Sequence, residues 1–167
     1  MEDYTTFPPD SKVWIYQSSR DLTPVEVDEI KAKSHDFSCT WTAHEQQMRS
    51  TVEVFYNRFI VIFADQNQAM ASGCSIDKSV GFIKTLEKTY NITLLDRMNI
   101  AYLENKEVST FPFNELDTKS FMGTINENTL IFNNLVQTKE EFDSKWIVPL
   151  KDSWLHQYLK IESLGRV

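Results

Sequence analysis

Several short segments of the chain alternate apolar and polar positions with the two-residue period of a β-strand. The alternation holds over residues 52–56 and again over residues 59–63, and the turn-like pair Asn57-Arg58 lies between them. Because this period places apolar side chains on one face, the two segments predict an antiparallel hairpin. Further strands are predicted where β-branched and aromatic residues cluster, at 13–16, 92–95, 99–103, 108–113 and 130–132.

A capping signal marks the first predicted helix. Thr23 stands directly before Pro24, and Glu26 follows three residues after the threonine. A threonine at the cap, a proline in the first turn and a glutamate at the third helical position together form a capping box. The pattern predicts a helix over residues 24–37.

Three further helices are predicted from spacing and from breaker residues. The clearest helical period lies at the apolar positions 80, 83, 86 and 90. A short helix is predicted over 115–122, closed by Gly123. The last helical segment covers 139–159, which Pro149 should kink or divide.

The order of the predicted elements is strand, helix, hairpin, helix, several strands and helix. This order indicates an α+β (mixed α/β) fold, with a largely antiparallel sheet and three or four helices packed on it. The length of 167 residues corresponds to a single domain. Residues 1–11 are expected to form an extended lead-in, and residues 160–167 a loose tail.

The amino-acid composition argues against some classes of binding partner. A formal net charge of −7 without any Lys/Arg cluster argues against nucleic acid. No apolar run approaches the roughly 20 residues that span a bilayer, and the acidic, proline-containing start differs from a secretion signal, so no membrane insertion is expected. With 41% hydrophobic residues the chain can form a core without a disulfide, so Cys39 and Cys74 are expected to be free thiols of a soluble, cytoplasmic protein. Neither the composition nor the sequence pattern indicates the oligomeric state.

The segment Ser72-Gly73-Cys74-Ser75-Ile76-Asp77-Lys78-Ser79 holds one of four glycines and one of two cysteines, at the start of the clearest helix. It partly matches the phosphate-binding loop GxxxxGK[ST]. However, the spacing from Gly73 to Lys78 is one residue short, and Asp77 replaces the second glycine. Because the Asp77 carboxylate would repel phosphates, ATP hydrolysis is not expected.

The leading interpretation of this segment is a site for a small anionic ligand at the turn where the helix starts. Exposed N–H groups at a helix start attract anions, and Lys78 would supply a counter-charge. Gly73 would take a positive φ in the turn, and Ser75 or Asp77 would cap the helix. The predicted ligand-binding residues are therefore Gly73, Ser75, Asp77, Lys78 and Ser79. Capping and turn formation alone would also explain the glycine, serine and aspartate without any ligand.

An alternative interpretation is a thiol-dependent enzyme, with Cys74 as nucleophile and His44 as base. A helix start favours the thiolate, provided that the imidazole lies close in space. Asp77 opposes thiolate formation, and cysteines are more often simply buried. Neither a metal site nor a cofactor is expected, because His35 and His156 are scattered and neither pairs with a cysteine at ligand spacing.

A third interpretation is a protein-interaction module. Trp146 and Trp154 flank Pro149 in the carboxy-terminal segment. Large aromatic side chains of this kind either form a recognition surface or close the end of a core.

Five motifs together resemble a family of small uncharacterised bacterial proteins. They are Trp41-x-x-His44, the segment 72–79, Asp96-Arg97, Asn133-Asn134-Leu135-Val136 and Ser153-Trp154. The resemblance extends from about Val13 to Trp154. Some members of that family carry the automatic label "ABC transporter ATPase", but this chain has neither a complete phosphate loop nor a transporter signature. The resemblance implies no established catalytic residues.

Overall fold

A computed structural model describes residues 2–67 and 69–159 of the chain. It confirms the α+β class, with about 39% helix, 27% strand and antiparallel sheets. Contacts divide the chain into two compact units, Met1–Asp96 with Asn134–Ser144 and Arg97–Asn133 with Lys145–Val167. The single-domain organisation stays a prediction, and the predicted tail at 160–167 lies outside the described residues.

The helices and strands follow the chain in a simple order. The helices are α1 (Pro24–Thr40), α2 (Gly73–Tyr90), α3 (Leu116–Phe121) and α4 (Lys139–Lys145). The strands are β1 (Lys12–Gln17), β2 (Thr42–Ala43), β3 (Gln46–Gln47), β4 (Arg49–Phe55), β5 (Phe59–Asp65), β6 (Asn99–Glu104), β7 (Glu107–Pro112), β8 (Leu130–Phe132) and β9 (Ile147–Pro149). No described helix combines the length and the apolar character that crossing a membrane requires.

The first unit is built around a three-stranded antiparallel sheet in the order β1-β5-β4. The predicted hairpin is confirmed as β4 and β5, with Phe55 opposite Phe59. Tyr56 and Asn57 take φ values of 53° and 50°, which let the chain reverse in a short loop. All seven residues of β5 are buried, so this central strand is covered on both faces and not on one face as the alternation predicts.

Different groups cover the two faces of β5. Ile60 and Ile62 belong to a core cluster together with Ile30 of α1 and with Ile83 and Leu86 of α2. On the other face Phe63 stacks on Tyr4, with ring centroids 4.8 Å apart, and meets Phe142 of α4 edge-on at 5.1 Å. Aromatic rings in such arrangements bury large apolar areas, so the first unit has apolar packing on both sides of its sheet.

The predicted lead-in is not wholly extended. Tyr4–Thr6 form a turn of 3-10 helix, and the Asp3 side chain accepts a hydrogen bond from the Thr5 N–H at 2.9 Å. This turn places the Tyr4 ring against the sheet.

The second unit contains a four-stranded sheet in the order β7-β6-β8-β9. Its core includes Ile100, Phe111, Leu150 and Leu155, all at most 5% exposed. The predicted short helix is confirmed as α3, and Gly123 follows its end with φ of +72°, a conformation that favours glycine.

The predicted strand at 92–95 is irregular in the structure. The Glu87 carboxylate accepts hydrogen bonds from the N–H groups of Leu94 and Leu95, at 2.6 and 3.0 Å. Because a side chain binds these amides, they do not join a strand ladder. Ile92 and Leu94 are still buried, which explains the strand-like apolar pattern.

The predicted helix over 139–159 ends early. α4 stops at Lys145, and Ile147–Pro149 form β9, which pairs antiparallel with β8. Pro149 lies at the end of this edge strand, where its missing N–H removes no ladder bond. The segment is therefore a helix, a strand and short 3-10 turns instead of one kinked helix.

The predicted capping box of α1 is present and includes a third residue. The Thr23 N–H donates to Glu26 Oε2 at 2.8 Å, and the Glu26 N–H donates to Thr23 Oγ1 at 3.2 Å. Arg20 donates two further hydrogen bonds to the same carboxylate at 2.8 and 2.7 Å. The Arg20 guanidinium and the Thr23 N–H lower the pKa of Glu26 from 4.5 to about 2.

We expect Glu26→Gln to lower the free energy of unfolding by about 0.5–1 kcal/mol at neutral pH, because glutamine keeps the cap but loses the ion pair. The folded-state pKa of Glu26 lies below its unfolded value. Its contribution is therefore fully present above pH 4.5 and is lost as the pH falls towards 2. Urea unfolding at a series of pH values measures the difference in free energy of unfolding between wild type and variant. This difference should shrink as the pH falls from 4.5 to about 2.

Asp28→Asn is the matched control for this experiment, because Asp28 is an exposed carboxylate on the same helix. The difference in free energy of unfolding between Asp28→Asn and the wild type should not shrink as the pH falls from 4.5 towards 2. A Glu26→Gln gap that stayed constant as the pH fell would contradict the role of the charge.

Candidate functional site

The segment 72–79 is the beginning of α2 and not a turn before it. Ser72 is the cap: its Oγ accepts from the Ser75 N–H at 3.3 Å, and Ser75 Oγ accepts from the Ser72 N–H at 2.7 Å. The N-cap is therefore Ser72, while the predicted Ser75 contributes to the cap as the third residue of a capping box and Asp77 does not. Gly73 is the first helical residue and has no positive φ, which corrects the predicted turn conformation.

The predicted ligand-binding residues face in two directions. Ser75 and Ser79 are buried, and their hydroxyls donate to backbone carbonyls of their own helix. Gly73, Asp77 and Lys78 are exposed, and Lys78 Nζ donates to Thr42 Oγ1 of β2 at 3.2 Å. An anion at this helix start would therefore meet backbone N–H groups and Lys78, while the two serines serve the helix itself.

The predicted Cys74–His44 pair is not joined by a hydrogen bond. Cys74 is an exposed free thiol in the first turn of α2. His44 is exposed in the turn between β2 and β3, with φ of 50°. Within residues 2–67 and 69–159 neither side chain has a hydrogen-bonding or ionic partner. The catalytic roles of Cys74 and His44 stay predictions.

The two carboxy-terminal tryptophans differ in exposure. Trp146 is buried, and its ring packs edge-on against Phe132 at 5.2 Å. Trp154 is partly exposed and stacks on Phe113 at 5.8 Å. Trp146 is thus part of the packing of the second unit, and only Trp154 offers surface to a partner.

A cavity of about 330 Å³ opens in the first unit, beside the carboxyl end of α1 and the start of β4. The residues that line it come from three parts of the sequence. They are Glu2, His35, Ser38, Cys39, Gln47, Met48, Arg49 and Ser50. Neither the leading nor the alternative interpretation of the sequence included any of them.

The α1 side of the cavity carries a thiol and an imidazole. His35 and Cys39 lie one helical turn apart, and the distance from Cys39 Sγ to His35 Nε2 is 3.8 Å. Both side chains are exposed. The spacing of four residues places them on the same helix face, so the expectation that His35 pairs with no cysteine is wrong, and the sequence contained this signal.

The β-hairpin β2–β3 closes another side of the cavity. His44 and Glu45 occupy its two-residue turn with φ of 50° and 65°, and Ala43 pairs with Gln46. The hairpin brings Gln47 back to α1, where its Nε2 donates to the Cys39 carbonyl at 3.3 Å. Strands of only two residues are too short to show a period in the sequence, so no strand is predicted in this region.

Arg49 is the main charged group of the cavity wall, and its charge is compensated. Its guanidinium pairs with Glu2 at 2.8 Å and with Asp65 at 3.4 Å, and it lies 4.5 Å from the centroid of the Phe7 ring. The hydrogen bond to Glu2 raises the pKa of Arg49. Burial acts to raise the pKa of Asp65, but the hydrogen bonds from Asn67 and Arg49 together lower it. Arg49 thus pairs with two acidic side chains, and no excess positive charge remains.

Two buried serines line the same cavity without hydrogen-bond partners. Ser38 and Ser50 are 8% and 9% exposed, and neither hydroxyl oxygen has a partner in the described part of the chain. A buried polar group without a partner costs about 1–3 kcal/mol. Both oxygens are closed to solvent in this side-chain conformation, so a polar molecule bound in the cavity would supply the missing hydrogen bonds once the serine side chains turn to another χ1 rotamer.

The described residues contain no group of three or more His, Cys, Asp and Glu side chains that could hold a metal ion. Comparisons with protein-family models, with curated proteins and with solved structures give no match for this chain. The resemblance to the bacterial family stays a prediction.

If the start of α2 binds anions, inorganic phosphate should shift the backbone amide resonances of Gly73 and Cys74, because these N–H groups have no acceptor within the helix. Titration of the ¹⁵N-labelled protein measures the effect. Lys78→Met should weaken it, whereas Lys84→Met, which changes an exposed lysine further along α2, should not. Amide shifts that were absent or spread evenly along the helix would exclude this site.

Proposed function

We propose that the protein binds a small, uncharged polar molecule in the cavity between α1 and β4. The single observation that carries this proposal is that Ser38 and Ser50, which are among the residues that line the cavity, have buried hydroxyls without a partner among the described residues. Ligand sites typically combine a concave surface with a few polar groups that lack internal partners. The volume of about 330 Å³ is at the low end of the usual range, so the ligand is small.

The charges around the cavity favour a neutral ligand over an anion. Arg49 is the only permanently charged cation among the lining residues, and it already pairs with Glu2 and Asp65. A negatively charged ligand would have to compete with these two carboxylates. Hydroxyl and amide groups can instead exchange hydrogen bonds with Ser38, Ser50 and the Gln47 side chain.

The other interpretations remain separate proposals. Exposed amides and Lys78 support anion binding at the start of α2, and the partly exposed Trp154 supports a protein-interaction surface. The net charge of −7 supports the expectation that nucleic acid is not a partner. Two free cysteines support a reducing, cytoplasmic location.

A methyl NMR titration tests the proposed function. Met48 lines the cavity and is 1% exposed, so its methyl resonance reports on an occupied cavity. Acetamide, glycerol and nicotinamide are suitable neutral probes. At least one of them should shift Met48 in a saturable manner while the resonances of Met70 and Met98, which are 70% and 60% exposed, stay in place.

Removing the two hydroxyls should separate ligand binding from stability. The variant Ser38→Ala/Ser50→Ala should lose the Met48 response and be as stable as the wild type or up to about 1 kcal/mol more stable, because it removes two unpaired buried groups. Ser11→Ala is the matched control, since Ser11 is also buried and unpartnered but does not line the cavity. It should keep the response. A Met48 resonance that no probe shifts, or a response that survives in the double variant, would overturn the proposal.

A further inference from the structure

The cavity contains a nucleophile that the proposed binding function does not use. Cys39 Sγ is exposed at its rim, 3.8 Å from His35 Nε2, and the thiol is free. Cys74 is equally a free, exposed thiol, but no imidazole or other partner accompanies it among the described residues. The two cysteines therefore differ in their surroundings and not in their access to solvent.

We propose that Cys39 exchanges with small, uncharged disulfides, and that the cavity holds the organic group that becomes attached to it. The inference rests on the proposed function, because the cavity must admit that organic group. Ser38, the neighbour of Cys39 in sequence, and Ser50 line the same cavity, and their hydroxyls have no partner among the described residues and would turn towards its polar atoms.

The chemical step is thiol–disulfide exchange. His35 Nε2 accepts the proton of Cys39, and the thiolate attacks one sulfur of the disulfide. The bond between the two sulfurs of the small disulfide breaks, and a bond from Cys39 Sγ to one of them forms. The other half leaves as a thiolate and takes the proton from His35. Cys39 is oxidised, and the leaving half is reduced to a thiol.

Groups of both charges line the cavity together with Cys39. They are Arg49 of β4, which is positive, and Glu2, which is acidic. Cys39 lies at the carboxyl end of α1, so no helix start assists it. The imidazole one turn away is therefore the group on which thiolate formation depends most directly, because it accepts the thiol proton itself.

The two cysteines provide an internal comparison. Reduced protein is treated with 2-hydroxyethyl disulfide at neutral pH, quenched with acid and digested, and the mixed disulfide at each cysteine is quantified by mass spectrometry. Cys39 should react about tenfold faster than Cys74, because a base 3.8 Å from its sulfur can accept the thiol proton, and Cys74 has no such base among the described residues, although it lies at a helix start. Equal rates, or a faster Cys74, would overturn the inference.

His35→Gln should reduce the rate at Cys39 to that at Cys74 near neutral pH, and the rate should recover as the pH rises and the thiol ionises unaided. His156→Gln changes a histidine of the second unit and is the matched control. If both variants left the pH profile of Cys39 unchanged, the role of His35 would be wrong.

Failure of this inference and failure of the proposed function give different results. The Met48 titration uses probes without a disulfide. If Cys39 reacts no faster than Cys74 while a probe shifts the Met48 resonance, only the exchange chemistry is overturned. If Cys39 reacts faster than Cys74 but no probe shifts the Met48 resonance, binding in the cavity is overturned. The part of the inference that places the organic group there is then overturned as well.

Discussion

The hydrogen bond from the Trp41 indole to the Ser75 carbonyl is the contact on which the arrangement of the first unit depends. It measures 2.8 Å and is buried, and it joins the residue that ends α1 to the first turn of α2. The carbonyl of Trp41 also accepts the Met48 N–H at 2.9 Å, which closes the β2–β3 hairpin. Phe37 and Trp14 pack on the same ring. One side chain thus positions the end of α1, the hairpin and the start of α2.

This arrangement places the cavity where α1 ends. The helix contributes His35, Ser38 and Cys39, and the chain returns through the hairpin to contribute Gln47 to Ser50. Packing that fixes backbone positions in this way can hold a polar group without a partner, because rearrangement would break larger contacts. Buried polar groups of this kind complete their hydrogen bonds with bound water, an ion or a ligand.

Elements that depend on neighbouring residues could be predicted. The Thr23–Glu26 capping box, the β4–β5 hairpin and the Gly123 stop all rely on residues a few positions apart, and the structure contains each of them. The predictions at 92–95 and 139–159 were wrong because distant groups decide those segments. The Glu87 carboxylate binds the amides of the first, and β8 pairs with part of the second.

The sequence by itself determined the α+β class and the four-residue spacing of His35 and Cys39, because periodicity and helical geometry follow from local order. The sequence also indicated Cys74 as a candidate nucleophile, because the start of the helix that contains it can be recognised from the sequence. Only the tertiary structure placed Ser50 and Arg49 in the wall of the same cavity as Cys39, with two buried hydroxyls that have no partner among the described residues. The physical reason is that a cavity forms where side chains from separate elements fail to fill the space between them, and this depends on packing between residues far apart in the chain.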